Sequence, residues 1–283
     1  MKTYLECLPC LLRQAVEAAK LATEDERVQQ AVVHTVLRDL QDVPAEARPV
    51  DIAPRVHAAV RRITGCDDPY REVKRESNRL ALEAYPKAAE LASEAPDPLL
   101  ASAKLAAAGN IADSAVGRSF DFDAAIQKAL SQDFAVSEYS QLRTELERAA
   151  RVLYLADNAG EIVFDRLLLE RLAPSRVTIA VKAQPLLNDA TQDDVHSANL
   201  DGLASVVTTG NGWPRPDLRG ASQEFRAAFQ EADVIIAKGQ ANYEALSEGN
   251  AKVFFLLIAK CSVIARHLGV NIGDLVLKRA GSP

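Results

Sequence analysis

The chain has no apolar run long enough to cross a bilayer. Its longest run, residues 253–259, is far shorter than the roughly 20 residues of a membrane-spanning helix. The first residues include Glu6 and no uninterrupted apolar stretch, so a secretory signal is not indicated. We therefore expect a cytoplasmic protein with no membrane partner. In that compartment the four cysteines should be reduced thiols or ligands, and not a disulfide framework.

The sequence also lacks an excess of positive charge. Lysine and arginine number 33 against 39 aspartate and glutamate residues, which gives a net charge of -6. A dense basic stretch, residues 71–79, is interleaved with acidic residues, as is typical of a solvated helix face. Because binding to nucleic acid depends on concentrated basic residues, no nucleic acid partner is expected.

Three common active-site motifs are absent. No Gly-x-x-x-x-Gly-Lys-Ser/Thr loop is present, which argues against a P-loop nucleoside triphosphatase. No Gly-x-Ser-x-Gly elbow is present to carry a serine nucleophile. No Gly-x-Gly-x-x-Gly follows the first predicted strand, where Asp157 would repel a dinucleotide pyrophosphate unless a cation intervened. The last absence favours a metal at this turn.

The first half of the chain has a helical hydrophobic pattern. Up to residue 150, apolar residues recur at helical spacing, as in residues 28–40. Prolines such as Pro54 and Pro86 are expected to punctuate these helices, which should therefore be short to moderate in length.

After residue 151, short runs rich in β-branched residues alternate with helical segments. The predicted strands are residues 152–156, 177–181, 205–209, 233–237 and 252–258. Near-continuous apolar strands separated by helices indicate a parallel sheet that is covered on both faces. We predict an α/β fold, in which a doubly wound, mainly parallel sheet domain (residues 151–283) packs against an all-helical N-terminal domain (residues 1–150).

Polar residues follow several predicted strands, at the edge where open parallel sheets bind ligands. Asp157 and Asn158 follow the first strand, and Asp189 follows the second. Carboxylate and amide oxygens suit Mg²⁺, Mn²⁺ or a similar divalent ion. For any one of these residues alone, capping the next helix is the commoner explanation. Three oxygen ligands at one edge shift the balance towards a metal site.

Lysine and glycine follow the last two predicted strands. Lys238 and Lys260 suit a phosphate as point charges, although either could be a surface lysine. Gly239 could make a turn or leave room for a ligand. Asn242 and Tyr243 begin a helix and could donate hydrogen bonds to a substrate, but Asn242 could also be an N-cap.

The chain begins with a Cys7-x-x-Cys10 pair, which could bind a soft metal or act as a redox pair. A structural zinc needs about four ligands, and no second pair of this kind is present. Cys66 and Cys261 could be partners of the first pair, or simply buried thiols.

Four motifs, in this order, resemble the metal-dependent damage-control phosphatases, a family also described as an acidic-residue methyltransferase-like domain. They are Asp157-Asn158-Ala159-Gly160-Glu161, Asn188-Asp189-Ala190-Thr191, Lys238-Gly239-Gln240-Ala241-Asn242-Tyr243-Glu244 and Lys260-Cys261. The Cys7-x-x-Cys10 pair and residues 109–113 are similar to the compact, mainly prokaryotic subfamily. The larger eukaryotic members carry an Arg-Thr-x-Lys motif of which only Lys260 is retained here. The resemblance covers essentially the whole chain.

The resemblance implies a helical N-terminal domain beside an α/β domain, and a divalent metal ion bound by Asp157, Asn158 and Asp189. The metal could be Mn, Co, Ni or Mg. It also implies a set of residues that contact the substrate phosphate or reach the same cleft: Asn110, Gly239, Gln240, Asn242, Tyr243 and Lys260.

These residues together predict a metal-dependent phosphatase that hydrolyses small phosphorylated metabolites, such as sugar phosphates or damaged phospho-metabolites. Water would attack phosphorus in line, with Asp157 and Glu161 as candidate catalytic groups; Glu161 could instead only favour the helix dipole. One alternative is a non-enzymatic thiol-metal or redox module that uses Cys7 and Cys10. The other is a protein carboxyl methyltransferase, suggested only by the family's second name.

Overall fold

Helices precede and alternate with the strands of one sheet. The computed structural model describes residues 1–44, 46–109, 122–210, 212–214, 217–249 and 252–282. The helices before the first strand are α1 (Cys7–Ala22), α2 (Glu26–Gln41), α3 (Pro49–Thr64), α4 (Arg71–Glu94), α5 (Pro98–Ala108) and α6 (Phe122–Ser131). The later helices are α7 (Tyr139–Arg148), α8 (Glu161–Leu169), α9 (Gln192–Ser197), α10 (Gln223–Glu231), α11 (Gly239–Leu246) and α12 (Ser262–Leu268), with a 3₁₀ turn at Pro174–Arg176.

The sheet is seven-stranded and mainly parallel. Its strands are β1 (Phe134–Ser137), β2 (Val152–Leu155), β3 (Val177–Val181), β4 (Ser205–Thr208), β5 (Val234–Lys238), β6 (Val253–Ile258) and β7 (Leu275–Arg279). They lie in the order β1-β7-β6-β5-β2-β3-β4. Neighbouring strands pair in parallel, apart from β6 and β7, which are antiparallel.

The predicted α/β fold with a mainly parallel sheet is confirmed. Strands β2 to β6 coincide with the five predicted runs, apart from differences at their ends. Strands β1 and β7 were not predicted, because each carries a weak hydrophobic signal. β1 is a four-residue edge strand with partly exposed residues, and β7 has only three apolar residues before Lys278 and Arg279. Strand β1 precedes residue 150 and still belongs to the sheet. The division of the chain into domains at residue 150 stays a prediction.

Two hydrophobic cores form on opposite faces of the sheet, because side chains alternate along each strand. From β2, Val152 and Tyr154 enter one core, whereas Leu153 and Leu155 enter the other. Helices α4, α5, α6 and α8 contribute to the first core, and α1, α2, α3, α11 and α12 to the second. Each core therefore combines helices from before and after residue 150.

The direction in which the chain crosses the sheet changes after β4. From β2 the chain proceeds outward to β3 and β4, and then returns to β5 and β6 on the other side of β2. Strand β2 therefore pairs with both β3 and β5. In open parallel sheets, a switch of this kind leaves a crevice at the carboxyl ends of the strands, where ligands bind. The residues that follow β2, β3 and β5 meet at this crevice.

Two prolines lie inside helices, contrary to the expectation that they end them. Pro54 lies in α3, and Pro86 lies in the 24-residue α4. Each removes one backbone donor from its helix, a cost that packing against the cores offsets. Within the described residues, none of the helices combines the length and apolar character that a membrane crossing requires.

Candidate functional site

The turn after β2 presents two buried side chains that carry oxygen atoms. Asp157 is 5% exposed and Asn158 is 7% exposed. The N-cap of the following helix, α8, is Gly160, which has a φ of 73° and no side chain that could accept a hydrogen bond from the first turn of the helix. The alternative role of Asp157 or Asn158 as a side-chain cap of α8 is therefore not observed.

Asp189 lies beside this turn, in the loop that follows β3. Backbone hydrogen bonds of 2.9 and 2.8 Å join residues 157–159 to residues 188–190. Asn158 and Asp189 also form an isolated antiparallel bridge. Asp189 does not cap α9, since that role belongs to Thr191, which forms a capping box. The three predicted metal ligands are thus held side by side by the backbone.

Burial and mutual repulsion set the electrostatics of the two carboxylates. Burial raises the pKa of Asp157 well above its usual range, and Glu161 and Asp189 raise it further. Burial also raises the pKa of Asp189, while Lys182 lowers it. Lys182 Nζ lies 3.3 Å from Asp189 Oδ2, but no hydrogen bond of good geometry reaches that oxygen from the described residues. A bound cation would relieve this repulsion.

Gly239 lies against Asp157 at the crevice between β2 and β5. It is the first residue of α11 and has a φ of 74°. A Cβ atom at this position would lie 1.9 Å from Asp157 Oδ2. Gly239 therefore leaves room for a neighbouring group, and that group is the Asp157 carboxylate.

Lys238 does not face the crevice, so the prediction that it binds phosphate is wrong. Its side chain is fully buried, with Nζ 2.6 Å from Glu161 Oε1 and 2.5 Å from Asp165 Oδ1. Burial alone would lower the pKa of Lys238, but the Asp165 and Glu161 carboxylates raise it above its usual value. Burial raises the pKa of Asp165 to about 6, although Lys238 opposes the rise. Two carboxylates and one ammonium group thus form a buried cluster.

Glu161 accepts a hydrogen bond from the Asn158 side chain and does not line the cavity. Asn158 Nδ2 donates to Asp157 Oδ2 at 3.2 Å and to Glu161 Oε2 at 3.4 Å. These contacts direct the amide nitrogen at carboxylates and leave the amide oxygen Oδ1 for a cation. The geometry gives Glu161 no contact with the cavity, and so favours a supporting role over water activation.

Two of the predicted substrate-binding residues are turned into the core. Asn242 is fully buried and its Nδ2 donates to Lys238 O at 2.8 Å and Ala156 O at 3.3 Å. Tyr243 packs in the second core, and its hydroxyl lies 2.8 Å from His267 Nδ1. Neither residue lines the cavity. Asn110, a third predicted substrate-binding residue, lies outside the described residues.

A cavity of about 460 Å³ opens at the crevice. Among the predicted site residues, its lining includes Asp157, Asn158, Asp189, Gln240 and Lys260. Lys260 is exposed, and its charge lowers the pKa of both Asp157 and Asp189. Gln240 Oε1 accepts a hydrogen bond from Lys260 N at 2.5 Å. The structure therefore brings the oxygen atoms of Asp157, Asn158 and Asp189 and the positively charged Lys260 to one cavity.

Three thiols line the same cavity. They belong to Cys7, Cys10 and Cys261, whereas Cys66 does not line it. Cys10 Sγ accepts from Arg13 Nη2 and from a glutamine amide, each at 3.7 Å. The cysteine pair singled out in the sequence therefore forms part of the wall of the candidate site.

Sequence patterns alone missed three residues near this cavity. Lys182 follows β3 at the ligand edge, so its position was a usable signal for the charge partner of Asp189. Trp213 lines the cavity from a segment with no regular pattern. Asn78 contacts the turn after β2 from the middle of α4, and no local pattern could indicate that contact.

The donor set fits a hard divalent cation. In the part of the chain that the structure describes, no group of three or more His, Cys, Asp or Glu side chains is arranged to hold a metal ion. The candidate centre consists instead of two carboxylates, Asp157 and Asp189, and the amide oxygen of Asn158. Water and substrate oxygens complete the coordination of Mg²⁺ in many sites with one or two carboxylates.

A family model matches nearly the whole chain. The model is described as the damage-control phosphatase ARMT1-like domain, and it matches residues 3–276. The match includes every residue that the cavity shares with the predicted site.

Individual relatives are similar over their full lengths. A damage-control phosphatase of Archaeoglobus fulgidus is 36% identical, over 98% of this chain and 99% of its own. A damage-control phosphatase of Pyrococcus horikoshii is 35% identical, over 99% of this chain and 98% of its own. A crystal structure of a DUF89 family protein from Pyrococcus horikoshii superposes with a TM-score of 0.89 at 35% identity, and covers 99% of both chains.

Proposed function

The chain belongs to the damage-control phosphatase ARMT1-like family, and we propose that it is a metal-dependent phosphatase acting on small phosphorylated metabolites. Relatives named as damage-control phosphatases support the phosphatase chemistry. One structural observation carries the proposal: Asp157, Asn158 and Asp189 meet at the switch point of the sheet, and Lys260 lines the same cavity.

A divalent metal ion, Mn, Co, Ni or Mg, would be held by Asp157, Asn158 and Asp189. When bound, such an ion offsets negative charge on the phosphoryl group and lowers the barrier to its transfer. The neighbouring carboxyls of Asp157 and Asp189 support this assignment, because burial raises the pKa of both and a bound cation would stabilise their charged forms. Lys182, 3.3 Å from Asp189 Oδ2, is the cation already beside this pair.

The phosphate would lie between this centre and Lys260. The ammonium group of Lys260 attracts phosphate oxygens as a mobile point charge. The first turn of α11, which begins at Gly239, offers backbone N–H groups beside the same cavity. Gln240 Oε1 accepts a hydrogen bond from Lys260 N, which fixes the backbone from which the mobile lysine side chain extends.

Asp157 is the carboxylate that we assign to the attacking water. It lines the cavity, so an oxygen of its side chain can accept a hydrogen bond from a water beside the phosphate. Glu161 is paired with Lys238 and lies behind Asn158. We assign Glu161 to orienting the amide of Asn158.

The cavity suits a small ester and not a macromolecular substrate. Its volume of about 460 Å³ lies in the range of small-molecule sites. Away from the carboxylates, its lining includes Val50, Ala53 and Trp213, which offer apolar surface to the rest of the ester. Sugar phosphates and damaged phospho-metabolites match this size.

The test is hydrolysis of p-nitrophenyl phosphate and a panel of sugar phosphates by protein stripped with a chelator. Activity should return on adding Mn²⁺, Co²⁺, Ni²⁺ or Mg²⁺. Asp157→Asn and Asp189→Asn should each lose at least about 100-fold in metal-stimulated kcat/KM, as expected for loss of a ligand. Full metal-stimulated activity in Asp157→Asn would show that the proposed site is wrong.

A neighbouring acidic residue provides the control. Asp193 is exposed and lies close to Asp189 in sequence, but it does not line this cavity. Asp193→Asn makes the same chemical change and should leave activity unchanged. If Asp193→Asn lost as much activity as Asp157→Asn and Asp189→Asn, the loss would reflect the negative charge of this region and not the binding of metal by Asp157 and Asp189.

A separate thiol-metal function finds less support. Cys7, Cys10 and Cys261 share the cavity with the proposed phosphate site, but within the described residues they do not form a group that could hold a metal ion. If Cys7→Ser with Cys10→Ser abolished activity while Asp157→Asn did not, the thiol function would replace the phosphatase proposal.

A further inference from the structure

One side chain, Asn78, joins the two loops that carry the proposed metal ligands. It projects from α4 and is 3% exposed. Its Oδ1 accepts a hydrogen bond from Gly160 N at 2.6 Å, and its Nδ2 donates to Asp194 Oδ1 at 2.9 Å. Gly160 closes the turn that begins with Asp157, and Asp194 holds the loop of Asp189.

Asp194 is fixed firmly enough to serve as an anchor. Its Oδ2 accepts from both N and Oγ1 of Thr191, each at 2.8 Å. Thr191 lies two residues after Asp189, so these bonds fix the end of the ligand loop. Lys74, which is 5% exposed, lies 3.6 Å from Asp194 and 3.1 Å from Asp68. The buried charge of Asp194 is therefore compensated.

Asparagine suits this position for a chemical reason. It combines an acceptor and a donor at the end of one short side chain. Its Oδ1 accepts from the Gly160 N–H group, and its Nδ2 donates to Oδ1 of Asp194. The other oxygen of Asp194 already accepts two hydrogen bonds from Thr191. Alanine provides neither group and would leave the Gly160 N–H buried without a partner, which is costly.

We propose that Asn78 is a positioning residue that sets the spacing between the Asp157–Asn158 turn and Asp189. This inference rests on the proposed function, because the spacing matters only if these residues share a metal. Asn78 does not line the active-site cavity and therefore acts through the two loops. Partners that orient metal ligands typically contribute about 10- to 100-fold in metal affinity.

The expected effect of Asn78→Ala is weaker metal binding with much less effect on chemistry. The dissociation constant for Mn²⁺, measured by calorimetry on the chelator-stripped protein, should rise by at least about tenfold. At saturating Mn²⁺ most of the wild-type kcat should return, since no group that touches the ester has been removed. Amide exchange at Gly160, followed by mass spectrometry or NMR, should also accelerate.

Arg79→Gln is the matched control. Arg79 is the next residue of the same helix, and it forms exposed ion pairs with Glu76 and Glu83. This variant should retain wild-type Mn²⁺ affinity and wild-type exchange at Gly160. If Asn78→Ala does not fold, Asn78→Ser keeps a polar group that is too short to bridge both loops, and the same measurements apply to it.

The outcomes separate this inference from the function on which it rests. A Mn²⁺ affinity within about twofold of wild type in the Asn78 variants would overturn it, as would a fall in kcat that saturating Mn²⁺ does not restore. Wild-type protein that binds no Mn²⁺ and hydrolyses no ester would overturn the proposed function, and the positioning role with it. If the wild-type protein is active and the Asn78 variants keep its Mn²⁺ affinity, the positioning role alone would be overturned.

Discussion

Gly239 and Asp157 are in such close contact that no side chain can replace the hydrogen of Gly239. A Cβ atom there would lie 1.9 Å from Asp157 Oδ2, 2.2 Å from Cγ and 2.7 Å from Oδ1. The contact joins the carboxyl ends of β2 and β5, which are adjacent only because the strand order switches at this point. A proposed ligand is thereby confined by the backbone of the neighbouring strand.

Gly239→Ala should displace the Asp157 carboxylate and abolish most metal-stimulated phosphatase activity. A loss of at least about 100-fold in kcat/KM is expected, because a misplacement near 1 Å has effects of that order. Steady-state kinetics over a range of metal concentrations measures it. Gly269→Ala is the control, since Gly269 has a similar φ of 70° but nothing within 4 Å of its Cβ position. Equal losses in both variants would mean that backbone strain, and not contact with Asp157, is responsible.

Lys238→Met should destabilise the fold strongly. It would leave Glu161 and Asp165 buried without their cation, and breaking a buried pair in this way typically costs about 3–5 kcal/mol. The free energy of unfolding in urea at pH 7 measures the change. Lys87→Met, which removes an exposed ion pair with Glu90, should leave the urea midpoint unchanged. Wild-type stability in Lys238→Met would contradict the buried cluster.

His57 should make the fold sensitive to acid. Burial, with help from Arg61, lowers the pKa of His57 from 6.5 to about 4. The unfolded chain therefore binds more protons between these pH values, and stability is present above about pH 6.5 and lost as the pH falls towards 4. The contribution is roughly 3 kcal/mol. Urea unfolding at pH 7 and pH 4.5 should show a smaller difference for His57→Phe than for wild type.

His34 provides the comparison for this effect, since it is an exposed histidine on α2. His34→Gln should keep the full wild-type loss of stability between pH 7 and pH 4.5. If His57→Phe showed the same loss as wild type, the acid sensitivity would arise from other groups.

Alkylation of the cavity thiols should block the phosphatase. N-ethylmaleimide attached to Cys7, Cys10 or Cys261 would occupy the cavity that the ester needs. Wild-type protein and Cys66→Ser should both lose most of their ester turnover after treatment. A variant with serine at the three cavity positions should keep its activity. Inactivation of that variant at the same rate would show that the thiols do not border the substrate.

The sequence located most of the sheet and three of the central site residues. Strands β2, β3, β5 and β6 were predictable because buried strands of a parallel sheet are short, continuous apolar runs. The edge strand β4 is only partly buried but was predictable from its two valines and one threonine. Asp157, Asn158 and Asp189 were identifiable because polar residues at the carboxyl ends of such strands gather at one edge. Structure and sequence agree that these three lie together, although their role in binding metal stays a prediction.

Side-chain direction was the part that strand-end reasoning could not supply. Lys238 ends β5 and Lys260 follows β6, so their sequence positions offered no reason to prefer one over the other as the phosphate-binding lysine. The Lys238 side chain is buried, and its ammonium group forms ion pairs with Glu161 and Asp165. Lys260 instead lies exposed beside the cavity. Asn242 and Tyr243 likewise turn inward to partners on other elements.

By itself, the sequence determined five of the seven strands, the mainly parallel sheet and the edge at which polar groups collect, because each follows from local periodicity and strand alternation. Tertiary structure alone decided which of those groups share the cavity. The close approach of Gly239 to Asp157 and the bridge from Asn78 to Gly160 join residues far apart in the chain. Such contacts depend on strand order and helix packing, which no local pattern encodes.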